Sequence, residues 1–515
     1  MKRRSFIHGA GAAAILPMAS CMDVEYPSTP AISTSAGKVR GEIVDGIHRF
    51  LGIPFAEPPF GHLRWMPPEP RAAWENTLPA TTYGAICPQT GGISVGLPEE
   101  GEDCLSLNIW TPDPSTRNLP VMIWAHGGGQ VSGSGANQLY DGTHFARDGV
   151  VLVTANRRIG AEGYLYLEER FGDGVGPGNL GIQDLLLTVT WVVENIEGFG
   201  GNPNNITVFG ESGGAAAVQA LVATPGAEQL ISKVILQSGG HAAQRTDTAT
   251  AITDEVLKQV SVSPGDLERL RKVPWQQFVS VYPTIEDQEH LGQPQIYLPV
   301  ISQHMPTHPV DATHQGMGTE LDFMIGTCRD EARLFSALTP DLYDSIFYRR
   351  AKKVIEQSGQ AWIQVAQAYK RLFPDLDDKA IDVAIMGDMW FRIPALRIAA
   401  GHARASEHNT FMYLFEWESP FIGAAHAMDL MVFGNGIPFS FLAGFRDYEK
   451  TARFMRRSWI SFASHGSPGD AWPAYGPSRA TMSIDETQDV LIAPYDALSK
   501  LLEPVIASSW LRSGL

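Results

Sequence analysis

The sequence predicts an α/β fold: a doubly wound, mostly parallel, twisted central sheet flanked by helices and carrying helical insertions. Three observations lead there. Short runs of apolar and β-branched residues stop at glycine or polar residues, as buried parallel strands do. A stretch of 3.6-residue periodicity separates two of those runs, and strands alternating with helices are the pattern of a doubly wound sheet. Finally, the 515-residue chain is 44% hydrophobic and 18% charged, and no linker, charge run or repeat divides it. One large core is the economical arrangement.

The first run, 119–125, ends at His126-Gly127-Gly128-Gly129, and the second spans 150–154. Ile182, Leu185, Leu186, Val189, Val192, Val193 and Ile196 then line one face of a helix, which Asn195 and the glycines of 198–201 stop. Further strands are expected at 206–209, 234–236, 323–325 and 410–415. Stretches 250–320 and 336–405 read as mainly helical insertions. In such a sheet the ligand site lies beyond the carboxyl ends of the strands.

Charge restricts the possible partners. The formal net charge is -17, and the chain beyond residue 21 is more acidic still. A field of that sign repels nucleic acid and anionic lipid, and no basic patch interleaved with aromatics argues otherwise. Residues 1–21 read as an export signal. Lys2, Arg3 and Arg4 precede a short apolar stretch and small residues. Arg3-Arg4 followed by Ser5-Phe6 resembles a twin-arginine signal, and Met18-Ala19-Ser20-Cys21 resembles a lipoprotein cleavage box. Cleavage near Ala19 instead would free a soluble chain. Residues 22–515 are then a single exported domain, periplasmic, extracellular or membrane-anchored through a lipid on Cys21. No later apolar run reaches the roughly 18 residues of a spanning helix.

Cys21, Cys87, Cys104 and Cys328 contain no CxxC pair, and no HExxH motif occurs. Neither a metal nor another cofactor is expected. In an oxidising compartment Cys87 and Cys104 could close a disulfide loop. His304, His308 and His314 are separated by Pro306 and Pro309 and read as a polar surface loop.

The sharpest motif is Gly210-Glu211-Ser212-Gly213-Gly214, between a strand and the helical stretch 215–222. GxSxG alone is weak, but in a strand–turn–helix setting it is a nucleophile elbow that tolerates only small neighbours around an exposed serine. The Gly213 amide then points where an oxyanion would form. His126-Gly127-Gly128-Gly129 offers further backbone donors, in the form seen in lipases and esterases. The base must be a histidine held by an acid, in the chain order serine, acid, histidine. Asp330 and Glu331 both follow one strand, and His426 follows another; the residues alone do not choose between the two acids.

Other segments carry a resemblance to the type-B carboxylesterases, the family of bacterial para-nitrobenzyl esterases and acetylcholinesterases. They are Gly52-Ile53-Pro54-Phe55-Ala56, Glu102-Asp103-Cys104-Leu105-Ser106-Leu107-Asn108 and Phe199-Gly200-Gly201-Asn202-Pro203 leading into the elbow. The resemblance runs from Gly41 to about Met482. It implies an α/β-hydrolase fold and a serine esterase with the triad Ser212, Glu331 and His426. It places the oxyanion hole on Gly128, Gly129 and Gly213, where the third donor is usually an alanine. It also implies a Cys87–Cys104 disulfide, a buried Arg64–Glu102 ion pair, an unpaired buried Cys328 and no cofactor.

The departures from the family pattern are informative. Gln130 stands where an aromatic residue commonly follows the glycine run, so a more polar pocket is expected there. Arg157 replaces the usual tyrosine of Asn-Tyr-Arg. Residues 87–104 contain no aromatic ring, which removes the support a cholinesterase reading needs. The expected reaction is hydrolysis of neutral carboxylic esters through an acyl-enzyme, with a small-molecule ester as partner. The rivals are a carbamate or amide hydrolase with the same triad, and a non-catalytic binding protein, which would typically have lost the serine.

Overall fold

Seven strands pair in parallel at the centre of an eleven-stranded sheet, and antiparallel strands close both of its edges. The computed structural model describes residues 26–509 apart from 92–95, 241–242, 287–295, 339–340, 342 and 344. The expected export signal, Cys21 included, lies outside the described residues.

In chain order the strands are β1 (Glu42–Val44), β2 (Ile47–Pro54), β3 (Ser106–Thr111), β4 (Leu119–Ala125), β5 (Val151–Ala155) and β6 (Gly201–Glu211). They continue as β7 (Lys233–Gln237), β8 (Asp322–Cys328), β9 (Thr410–Phe415), β10 (Ala480–Ile484) and β11 (Val490–Ile492). Across the sheet they stand in the order β11-β10-β9-β8-β7-β6-β4-β5-β3-β2-β1. The chain winds from β4 to β5 on one side, then crosses to β6 on the other. That reversal opens a crevice beyond the carboxyl ends of β4 and β6. Ala125 and Gly210 are register partners there, which brings the glycine run and the serine elbow side by side.

Alternation along each strand feeds two cores. Ile123, Val153, Val208 and Ile325 face one cluster, under helices α1 (Leu180–Asn195) and α2 (Gly213–Val222). Trp124, Phe209, Met324 and Tyr413 face the other, where Met455, Trp459 and Phe462 of a later helix (Glu449–His465) pack. Among the described residues no helix is long and apolar enough to cross a membrane.

Strands expected at 119–125 and 410–415 match β4 and β9, and the run at 150–154 is displaced by one residue in β5. The run at 206–209 extends back to Gly201, because the polar Asn-rich segment still pairs with β4 across a register shift. Insertion 250–320 is helical only in its first half, at Thr246–Gln259, Leu267–Lys272 and Trp275–Glu286. Residues 299–320, with Pro299, Pro306 and Pro309, form a short strand at Val300–Ile301, turns, and a single 3-10 turn at Thr313–Gln315. His308 is not on the surface: it is buried, and its Nε2 accepts from the Ala243 N–H at 3.1 Å.

The Arg64–Glu102 pair is overturned. Glu102 is exposed, beside an Asp103 that pairs with Arg71 at the surface. Arg64 instead reaches Glu162, on the buried turn Gly160–Tyr164, at 2.5 Å. Its guanidinium also lies over the Trp65 ring at 4.3 Å and donates to the Arg271 carbonyl. A second buried pair, Arg158–Asp184 at 2.6 Å, ties the end of β5 to α1. Cys87 and Cys104 form a disulfide with a Cα separation of 5.0 Å, and Cys328 is buried and free.

Removing one member of a buried pair strands the other charge. Glu162→Gln should therefore cost about 3–5 kcal/mol in a urea titration, while Glu102→Gln should stay within about 0.5 kcal/mol. Equal midpoints for the two variants would contradict this assignment of Arg64's partner.

Candidate active site

β6 ends at Glu211 and α2 begins at Gly213, so Ser212 alone makes the turn, at φ 53° and ψ -124°. A non-glycine residue in that region is strained and persists only where its surroundings over-determine it. They do so here. The Ser212 N–H donates to the Gln237 carbonyl at the end of β7, and its own carbonyl accepts from Ala216 in α2, both at 2.9 Å. A Cβ on Gly214 would come within 2.0 Å of the Ala125 carbonyl oxygen, so only glycine lets the helix start this close to β4.

The two acids after β8 separate cleanly. The Asp330 carboxylate accepts from the Ala424 N–H at 3.1 Å and pairs with Arg329. It holds the loop that carries His426 without touching the imidazole. Glu331 is 1% exposed, and its Oε2 lies 2.6 Å from His426 Nδ1. The other oxygen accepts from Ser238 Oγ at 2.6 Å and from the Cys328 N–H at 2.7 Å. The imidazole is walled by Phe335 and Phe391, with ring centroids at 5.2 and 4.6 Å. Phe391 belongs to a π-helical turn, Asp388–Arg392, and Arg392 anchors that turn by donating to the Cys328 and Arg329 carbonyls.

His426 Nε2 reaches the elbow at Glu211 Oε1, 3.0 Å away and one residue before Ser212. Among the described residues Ser212 Oγ makes no hydrogen bond, and its side chain borders the glycine run at Gly127. Burial pushes the Glu211 carboxyl well above the usual carboxylate range; His426 opposes that rise, while Asp429 and Glu331 add to it. Burial alone would push the imidazolium down, but the Glu211 and Glu331 carboxylates outweigh it and hold His426 above the ordinary histidine value. The two groups therefore act on each other's charge: His426 holds Glu211 down, and Glu211 holds His426 up.

The structure joins Glu331 and His426 directly and sets His426 Nε2 3.0 Å from Glu211, the residue before Ser212, with Gly213 beside the glycine run. A methyl group on Gly213 would sit 2.8 Å from the Gly129 nitrogen, which shows how closely the two segments approach. Gln130 does not make the pocket more polar. It turns inward at φ 62°, 2% exposed, and its amide is engaged by Gly213 and Arg157. Sequence reasoning missed Glu211, Ser238, Phe335 and Phe391. Ser238 carried a usable signal: it follows β7 as Ser212 follows β6, the first polar residue past a buried strand. Phe391 sits in the insertion 336–405 and Phe335 just before it, and no local pattern gives their fold against the sheet.

Residues 28–497 match the family model described as the carboxylesterase family. The chain is 34% identical to the para-nitrobenzyl esterase of Bacillus subtilis over 481 residues, which cover 88% of this chain and 94% of that protein. It is 30% identical to the phenmedipham hydrolase of Pseudarthrobacter oxydans, over 87% of this chain and 93% of the other. Among solved structures, a PNB esterase superposes with a TM-score of 0.82 at 32% identity, covering 92% of this chain and 98% of that one. The carboxylesterase of Geobacillus stearothermophilus gives 0.81 at 33%, covering 92% and 99%.

The electrostatics fix the sign of a pH effect. Were His426 the base, it would work only once deprotonated, so its raised pKa would delay activity to higher pH. Glu211→Gln removes one carboxylate that raises it and should move the acid limb of kcat/KM to lower pH by about one unit or more. A limb that stays in place or moves upward in that variant would refute the coupling.

Proposed function

This chain belongs to the carboxylesterase family, and on that premise we propose that it hydrolyses neutral carboxylic esters through an acyl-enzyme on Ser212. The observation that carries the reading is the buried Glu331–His426 pair, whose free ring nitrogen faces the strained serine elbow.

In the proposed cycle His426 Nε2 takes the proton of Ser212 Oγ as the oxygen attacks the ester carbonyl. It then delivers that proton to the leaving alcohol. Glu331 holds the ring in the tautomer with hydrogen on Nδ1 and stabilises the imidazolium that forms. Ser238 and the Cys328 amide keep the carboxylate aimed while it does so. The Gly128, Gly129 and Gly213 amides receive the oxyanion, each worth roughly 3 kcal/mol at the transition state. Water then repeats the attack on the acyl-enzyme, with His426 again the base.

Residues 1–21 act in this reading as an export signal and Cys21 as the acceptor of a lipid anchor; the Cys87–Cys104 bridge suits an oxidising compartment. Fractionation of cells producing the full chain and its Cys21→Ala variant tests the anchor. Membrane association lost only in the variant supports it, and equal partitioning of both defeats it.

Purified Ser212→Ala should lose fluorophosphonate labelling and about 10⁴–10⁶ in kcat while remaining folded. Glu331→Gln should cost about 10³-fold or more and Asp330→Asn far less. Labelling that survives in Ser212→Ala, or a reversed order of the two acids, would sink the assignment.

Substrate class follows from the loop 87–104, which offers no aromatic ring to a quaternary ammonium group. Such a ring is worth roughly 2 kcal/mol when desolvated. An uncharged alkyl butyrate should therefore match or exceed butyrylcholine in kcat/KM. A preference for the choline ester of about tenfold, or about 1.4 kcal/mol, would overturn this reading.

A further inference from the structure

Arg157 and Gln130 are each 2% exposed, and both lie behind the amides read as oxyanion donors. Arg157 Nη1 donates to the His126 carbonyl at 3.0 Å, and Nη2 donates to Gln130 Oε1 at 3.1 Å. Gln130 Nε2 in turn donates to the Gly213 carbonyl at 2.6 Å, from which Arg157 Nη2 is 3.5 Å away. One guanidinium therefore holds both ends of the glycine run and, through an amide, the residue after the nucleophile. Its charge has no carboxylate partner among the described residues. The buried guanidiniums of Arg64, Arg158 and Arg392, by contrast, sit against Glu162, Asp184 and Asp388.

The geometry gives this arrangement a task. Gly128 and Gly129 follow β4, whereas Gly213 follows β6, so the three donors come from two separate segments whose spacing must be fixed. The spacing is close: a Cβ on Gly213 would stand 2.8 Å from the Gly129 nitrogen and 3.1 Å from the Gln130 nitrogen. A strand pair upstream sets it coarsely; the bond from Gln130 to Gly213 sets it at the site. A buried positive charge also acts strongly over a few ångströms, because little water screens it.

We propose that Arg157 and Gln130 are positioning residues of the oxyanion site, locking the glycine run onto the nucleophile turn and setting an unneutralised positive charge one peptide behind the donors. This rests on the reading of Gly128, Gly129 and Gly213 as those donors. With Gly213, the two side chains are also positions near the site where the sequence departs from the family pattern. Each compensates the other: without Gln130 the guanidinium loses an acceptor, and without Arg157 the amide oxygen loses its donor.

The test compares the wild-type protein with Gln130→Met and Arg157→Lys. It measures kcat and KM on a neutral nitrophenyl ester, thermal stability, and the affinity of a trifluoromethyl ketone, whose adduct with a serine carries an oxyanion. Gln130→Met keeps the length and loses both hydrogen bonds. It should lower kcat by about 10–100-fold, less than deleting a donor outright, and weaken the ketone by the same factor. KM should stay within about twofold, because the loss is confined to the transition state. Arg157→Lys keeps the charge without the fork and should fall between Gln130→Met and wild type. A purely structural role would lower thermal stability and leave kcat and ketone affinity of the folded variant unchanged; that result for Gln130→Met overturns the proposal even if Arg157→Lys does not fold. A wild-type protein that failed to bind the ketone at all would instead defeat the reading of the donors, and the proposal with it.

Discussion

The site depends on one buried carboxylate. Glu331 has almost no contact with solvent, so each of its lone pairs must find a donor in the protein or the charge is costly. The donors come from separate elements: Ser238 past β7, the Cys328 amide at the end of β8, and His426 from the loop after β9. Meeting that requirement brings the ends of three adjacent strands to one point. It also leaves the imidazole little freedom of tilt, since the carboxylate grips one edge and Phe335 and Phe391 cover its ring. Orientation is thus built into the sheet before any substrate arrives.

The elbow answers the same sheet from the other side. Ser212 adopts an unfavourable backbone conformation because the end of β7 holds its N–H and α2 holds its carbonyl. The winding reversal between β5 and β6 decides where this happens. It puts the ends of β4 and β6 next to each other, so the glycine run and the Ser212 turn meet without a long loop. Glu211, the last residue of β6, is the electrostatic counterpart. A buried acid 3.0 Å from the far nitrogen of His426 couples the charge of the ring to the local field.

The parallel interior strands were legible because burial on both faces leaves continuous Val, Ile, Leu and Phe, as in β4 and β5. The edge strands were not, because Ile47–Pro54 mixes His48, Arg49 and Gly52 with its apolar residues. The elbow and glycine run could be read directly, since their chemistry is written in consecutive residues. The choice of Glu331 over Asp330 could not be made locally: both are acids past one strand, and only the fold shows one facing the imidazole and the other facing the Ala424 amide. The ion pair of Arg64 shows the limit of resemblance. A motif near Cys104 offered Glu102, but three-dimensional packing supplied Glu162, and no pattern in the chain links positions 64 and 162.

The missing methyl group at Gly213 has a consequence for how such a protein can change. Because that position touches the backbone after Gly129, and because Gln130 and Arg157 grip its carbonyl, residues 130, 157 and 213 form one unit drawn from three distant stretches of chain. An alanine at 213 needs the glycine run to retreat, and a retreat pulls Gln130 off its acceptor. Exchange between relatives along this line is therefore epistatic: a graft of any one loop inherits a contact made for another, and only the three together travel as a working set.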